Sequence, residues 1–296
     1  MVLFFRLAGA TLVFLSMSVP RGAECADDAS TLAAFDAAWS RRAEGAAGGA
    51  AAEKAVAPAV AAGRNAVISN PGSLPARWRL MRSLYFQGEH ATTGDAAKRD
   101  VFEEGKRLGE ETLERIRSDA GASAGKDLSK ATPVELVPYV KGKPDVVPCF
   151  LWASVNWGKW ALVFGKTAAA RQGAAAKIRD YATAVVRLDP SFDEGGGYRV
   201  LGRLHHQTPS IPFITGWASR TEALKNLRLA VEIAPRNFVN RLYLAEAIWD
   251  YEKEKRPEAK RMLEALVVDT PSAALPVEDA RAQEDARALL AAWGKG

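Results

Sequence analysis

Residues at offsets 0, 4, 7 and 12 recur in the second half of this chain. They are Ala223, Leu227, Ala230 and Pro235, and one repeat later Ala259, Leu263, Leu266 and Pro271. In a helix the first three positions share a face. Small residues there let a neighbouring helix come close, the bulkier one fills the gap, and the proline stops the helix. Helix-turn-helix repeats of tetratricopeptide type carry such a pattern at a period of about 34 residues. The expected fold is therefore all-α, a tetratricopeptide-like array of helical hairpins (an α-solenoid). Counting back from Pro71 gives Ala66 and Ala59 at matching offsets, with Gly63 a poor fit at the bulky position.

The array can be followed along the chain. A first hairpin is expected over Leu32 to Glu44 and Ala50 to Ile68, broken at Gly45 and Gly48-Gly49 and ended by Asn70-Pro71. In the second, Trp78, Met81 and Tyr85 form an apolar stripe, and the partner helix runs from Asp95, read as its N-cap, to Arg117. Residues 118–149 read as an irregular insertion rich in Gly, Lys and Pro, with one short helix opened by Thr132-Pro-Val-Glu135. From Phe150, one helix face carries Ala153, Trp157, Trp160 and Phe164, and another carries Trp152, Val155, Asn156 and Val163. Apolar residues on two faces place a helix between neighbours. Its partner, Ala174 to Leu188, stops at Asp189-Pro190. A fourth hairpin starts after Gly195-Gly-Gly197, with Tyr198, Leu201, Gly202 and His205 on one stripe. Its connection, Gln207 to Ala218, is apolar (Ile211, Phe213, Ile214, Trp217), whereas connections that face water are polar. Ser219 and Glu222 form a capping box for the next helix. A fifth pair, Phe238 to Glu254 and Pro257 to Val268, precedes a capping helix from Val277 to Trp293.

The amino terminus has a different character. Arg6 followed by the apolar run Leu7 to Val19 reads as a secretory signal peptide, with residues 1–25 removed and a single helical-repeat domain left at 26–296. Acylation of Cys25 is the rival, but Glu24 occupies a position where lipoprotein processing needs a small neutral residue. Only Cys149 would remain, so no internal disulfide is expected, and its ordinary role is that of a small buried hydrophobe. The formal charge of +5 comes from lysines and arginines interspersed with acids, as in Glu103-Glu-Gly-Lys-Arg107. That is a solvated helix surface, not the concentrated positive face that nucleic acid requires.

Little here suggests catalysis. The chain has three histidines, and the adjacent His205 and His206 point to opposite sides of a helix end, where each could cap a terminal carbonyl. No HExxH, paired cysteines or Ser-His-Asp arrangement can be placed, so no enzyme activity, metal or cofactor is expected. Gly195-Gly-Gly197 precedes a helix, but it lacks the strand before and the Lys-Ser/Thr after that a phosphate loop needs. Close packing of helix ends explains the glycines as well. The tryptophans Trp152, Trp157 and Trp160 either fill the core or, with the apolar connection, line a lipophilic cavity.

Four segments together resemble the T-component family of tripartite ATP-independent periplasmic (TRAP) transporters. They are Asn156-Trp-Gly-Lys-Trp160, Gly195 to Arg203, Ala223 to Pro235 and Asn240 to Glu246. The similarity covers about Asn65 to Thr270. It implies an all-helical periplasmic protein, a homotrimer with a central opening, an extracytoplasmic solute-binding protein as partner and a hydrophobic small-molecule ligand. On that reading Trp157, Trp160, Phe213, Ile214 and Trp217 would form an apolar ligand or partner surface, with Tyr198 and His205 as its polar contacts. The alternative is a general cell-envelope scaffold whose groove grips a peptide or protein.

Overall fold

In a computed structural model the chain is described over residues 21–209 and 215–294, with side chains from residue 28 onward. Most of the leader expected at 1–25, and Phe213 and Ile214 of the apolar connection, lie outside the described residues. Among those described there are thirteen α-helices and no strand, so the all-α expectation holds. They are α1 (Arg21–Ser40), α2 (Glu53–Ser69), α3 (Leu74–Phe86, continued by a π turn over Gln87–Ala91), α4 (Asp95–Ala124), α5 (Pro133–Val140), α6 (Val146–Phe164) and α7 (Lys166–Arg171). There follow α8 (Ala174–Leu188), α9 (Phe192–Gln207), α10 (Arg220–Ile233), α11 (Phe238–Tyr251), α12 (Arg256–Val268) and α13 (Pro276–Trp293). The helices pair as α1/α2, α3/α4, α6/α8, α9/α10 and α11/α12, and each pair packs on the next.

The repeating offsets do the packing expected of them. Ala223, Leu227, Ala230, Ala259, Leu263 and Leu266 are all inaccessible to solvent, and α10 and α12 end just before Pro235 and Pro271. Gly63 has a physical reason to stand where bulk was expected: a Cβ there would lie 3.3 Å from the Cα of Leu80. The next helix fills the space with its own backbone.

Local boundaries differ from the sequence reading in instructive ways. Gly94, with a φ of +87°, is the N-cap of α4, and Asp95 is already the first helical residue. Helix α4 runs on to Ala124, where Gly125 turns left-handed, and α6 begins at Val146. The irregular stretch is thereby shortened to 125–145. Within it, Thr132 and Glu135 form a complete reciprocal capping box. At α10 only half of a box forms. The Ser219 hydroxyl accepts from the Glu222 N–H, while the Ser219 N–H donates to Nδ1 of His205 at 3.2 Å.

The first turn of α9 is left-handed. Asp193, Glu194 and Gly195 have φ values of 51°, 57° and 78°. Two non-glycine residues in this region cost on the order of 1 kcal/mol each, so neighbours must hold them there. Arg199 donates to both the carbonyl and the carboxylate of Asp193, and Asn240 donates to the carbonyls of Glu194 and Ala230. The turn brings Gly195 against α10, where a Cβ would lie 3.2 Å from the Cα of Ala230. Helix packing, not phosphate binding, accounts for the glycines.

Helix α13 does more than cap the array. It returns to the α1–α2 connection, where Arg42 donates to the carbonyl of Ala274 at 2.6 Å and pairs with Glu278, and the Gly49 N–H donates to Glu284. A Cβ at Gly49 would sit 2.6 Å from the Cα of Arg281, so the glycine break is also a docking point. Val277 of α13 joins the large N-terminal core, while Ala282 and Ala286 of the same helix belong to the C-terminal one. The array closes on itself.

Candidate functional site

Closure brings one face of α3, α6, α9, α11 and α13 within electrostatic reach of the others. On α3 and its π turn this stripe is Arg82, Tyr85 and Glu89, and on α6 it is Trp152, Val155 and Lys159. On α9 it is Arg199, Arg203 and His206, on α11 Tyr243, Glu246 and Asp250, and on α13 Glu278, Arg281 and Asp285. All are spaced three or four residues apart, so each stripe runs straight along its helix.

Side chains on these stripes meet across helix boundaries. Lys159 pairs with Glu89 at 2.6 Å, Arg203 with Glu246 at 2.6 Å, and His206 Nε2 meets Asp250 at 2.9 Å. Arg203 also lies 4.2 Å from the Tyr243 ring centroid. Influence reaches further across the interior. Burial pushes the Tyr85 hydroxyl well up, and Glu89, Tyr243 and Glu278 push it further while Arg199 opposes them. Burial would also raise the Glu89 carboxyl, yet Lys159, by charge and hydrogen bond, brings it below its usual value. Asp285 is raised by burial and by Glu89, against the pull of Arg281 and Lys159. Groups from α3, α6, α9, α11 and α13 thus lie within electrostatic reach of one another, with Asp250, Arg281 and Asp285 about half exposed at the rim.

The residues singled out from sequence fall in three places. Trp157 and Trp160 are fully buried, with ring centroids 5.3 Å apart and edge-on to each other. Lys177 and Lys106 lie over Trp157 at 4.2 and 5.1 Å, and the Trp160 indole N–H donates to Glu103. They pack helices α4, α6 and α8 together. His205 and Trp217 lie 5.2 Å apart edge-on, with the Arg179 guanidinium 4.9 Å from the Trp217 ring centroid. Burial lowers the pKa of His205, Glu222 opposes that, and Arg179 adds to it. Beside them is an open depression of about 310 Å³ bordered by His206, Thr208, Ala218, Arg220 and Tyr251. Tyr198 is half-buried on α9, and Phe213 and Ile214 lie outside the described residues. Neither adjacent histidine caps the helix end: His205 takes the Ser219 N–H and His206 reaches Asp250.

Sequence reasoning passed over the charged members of the inner stripes. Arg82, Glu89, Lys159, Arg199, Arg203 and Glu246 belong to no catalytic or ligand motif, and Lys159 is the one charge in the apolar stretch 146–165. The usable signal was their spacing on the same helices as Tyr85, Trp152 and Tyr243. Among the described residues no cluster of His, Cys, Asp and Glu could hold a metal ion, and no helix is long and apolar enough to cross a membrane. No protein-family model matches the chain, and no curated protein matches it.

Proposed function

We propose that this chain is an exported, non-catalytic accessory of a TRAP-type transport system, of the T-component kind. It docks an extracytoplasmic solute-binding protein as a homotrimer and passes a hydrophobic ligand along its inner face. The observation that supports this is the closure of the helical array around a face where Trp152, Tyr85 and Tyr243 alternate with fixed charges. Ligand sites combine an apolar wall with a few placed polar groups, and this face has both. The paired charges are held by partners on adjacent helices, which fixes their positions. The resemblance carried by Gly195 to Arg203 and Asn240 to Glu246 falls on residues that hold the strained turn, Gly195 within it and Arg199 and Asn240 clasping it.

The test is affinity capture of the tagged protein from a periplasmic extract, with mass determination of the complex and of the mature amino terminus. Recovery of a solute-binding protein with a three-fold oligomer, starting near Ala26, is the expected result. A monomer that captures only unrelated envelope proteins would favour the general scaffold instead, and a chain retained in the cytoplasm would defeat both.

A further inference from the structure

Every cation on the inner stripes but one has a carboxylate. Lys159 has Glu89, Arg203 has Glu246, Arg281 has Asp285 and Arg199 has Asp193. Arg42, in the α1–α2 connection, has Glu278. Arg82 is the exception. Among the described residues it makes no ion pair and no hydrogen bond, and its guanidinium instead lies 4.5 Å from the Trp39 ring centroid and 5.6 Å from that of Trp152.

The surroundings sharpen the anomaly. Burial lowers the pKa of Arg82, Asp193 opposes this, Arg42 adds to it, Glu278 opposes it and Arg79 adds a little more. The two carboxylates that face Arg82 are already engaged, Asp193 by Arg199 and Glu278 by Arg42. Arg42 also lies 4.5 Å from the Trp39 ring, so two guanidinium groups crowd one indole. An isolated, partly desolvated cation beside a like charge is costly unless an anion completes it. Arginine offers a planar fork that takes a carboxylate through two parallel hydrogen bonds. The wall beyond it is apolar: Trp152 lies 5.6 Å from Tyr85, and Val155 follows one turn on.

We infer that Arg82, set between Trp39 and Trp152, is the receptor for the carboxylate of an amphiphilic monoanion whose apolar body lies along Trp152, Tyr85 and Val155. One free guanidinium suits a single negative charge, and the rings on either side exclude water from the pair. The inference rests on the inner face being the ligand surface proposed above, and not on the identity of the protein partner.

Dodecanoate and dodecanol, alike in chain length and differing in charge, are the probes, titrated calorimetrically into the full mature protein below their aggregation limits at about neutral pH. Dodecanoate should bind about ten- to a hundredfold tighter than dodecanol, the range expected for charge-assisted hydrogen bonds. Arg82→Gln should bring dodecanoate down to the alcohol's affinity, and Arg82→Lys, which keeps the charge and loses the fork, should fall between. Arg107→Gln, on the exposed side of α4, should change nothing. Circular dichroism and melting of each variant check the fold. If Arg82→Gln does not fold, the acid-over-alcohol preference and Arg82→Lys still decide. Equal affinity for acid and alcohol would remove Arg82 as the anion receptor while leaving an apolar ligand surface in place. Binding of neither probe would overturn the site and the inner-face reading together. Loss of the solute-binding partner in the capture experiment would overturn only the transport reading.

Discussion

The two halves of the array pack by different means. The C-terminal core, from Leu224 to Ala286, is built mainly of alanine and leucine at repeating offsets, with Phe238 and Ile248. The N-terminal core sets large rings, Phe86, Phe102, Phe150, Trp157, Trp160 and Tyr181, among its valines, leucines and alanines. Between those rings, buried polar groups set the helix spacing. Asn156, inaccessible to solvent, donates to the carbonyls of Met81 and Trp152 and occupies the space beside Gly105. A regular core announces itself through its period. A core of irregular rings and glycines has no period, and its aromatics look like a wall waiting for a ligand.

The sharpest way to break this comparison is to truncate one anchor on each side. Trp157→Ala should cost about 3–5 kcal/mol, since it removes a fully buried indole and two lysine contacts. Leu263→Ala should cost about 2–4 kcal/mol, the range for a leucine in a tight seam. In repeat arrays each unit leans on its neighbours, so hydrogen exchange should show the second loss concentrated in α10 to α13. Denaturant unfolding checks both. A cost for Trp157→Ala below about 1 kcal/mol would show that this tryptophan does line an open cavity.

The same contrast explains what was legible in the sequence. Ala223 to Pro271 declared hairpins because spacing alone specifies a helix seam. Thr132 to Glu135 declared a helix start because a capping box is local chemistry. Closure of the array was not legible, because it depends on Gly49 meeting Arg281 across more than two hundred residues, and no local pattern records such a contact. The inner stripes were not legible for a related reason. A lysine paired with a glutamate on the next hairpin has the same sequence signature as a lysine facing water. Half of the Ser219–Glu222 capping box failed because His205, folded back from α9, competes for the Ser219 N–H. Trp217 and His205 make ring contact, at the end of α9 and away from the tryptophans of α6.

Helix α13 ties the two cores together, and a buried acid within it gives a test of intermediate size. Asp279 is almost inaccessible, and burial raises its pKa to about 6, with the Ser272 N–H opposing and Glu278 and Glu194 adding. In the unfolded chain an aspartate titrates near 3.9. A raised folded value means that this group's stabilising contribution is complete below about pH 4 and lost as pH rises through about 6. Asp279→Asn stays neutral and keeps an oxygen for Ser272, so it should add about 2 kcal/mol above pH 7 and almost nothing near pH 4. Melting curves at the two pH values check it. A gain of equal size at both would mean that charge is not the cause.

The smallest expected effect separates the packed seams from the inner face. Arg203 and Glu246 are each more than a fifth exposed in their side chains, so water screens the pair, and holding two long side chains in one geometry costs entropy. A double-mutant cycle with Arg203→Met and Glu246→Gln should return a coupling of about 0.5–1 kcal/mol, well below either core truncation. That result would mean that the interior charges contribute little to holding the array together, so their placement is better explained by what they face than by what they stabilise. A coupling of about 3 kcal/mol or more would reverse the conclusion. The inner face would then be a structural brace, and Arg82, the cation left without a carboxylate, would be the flaw in that brace and no longer its invitation to a ligand.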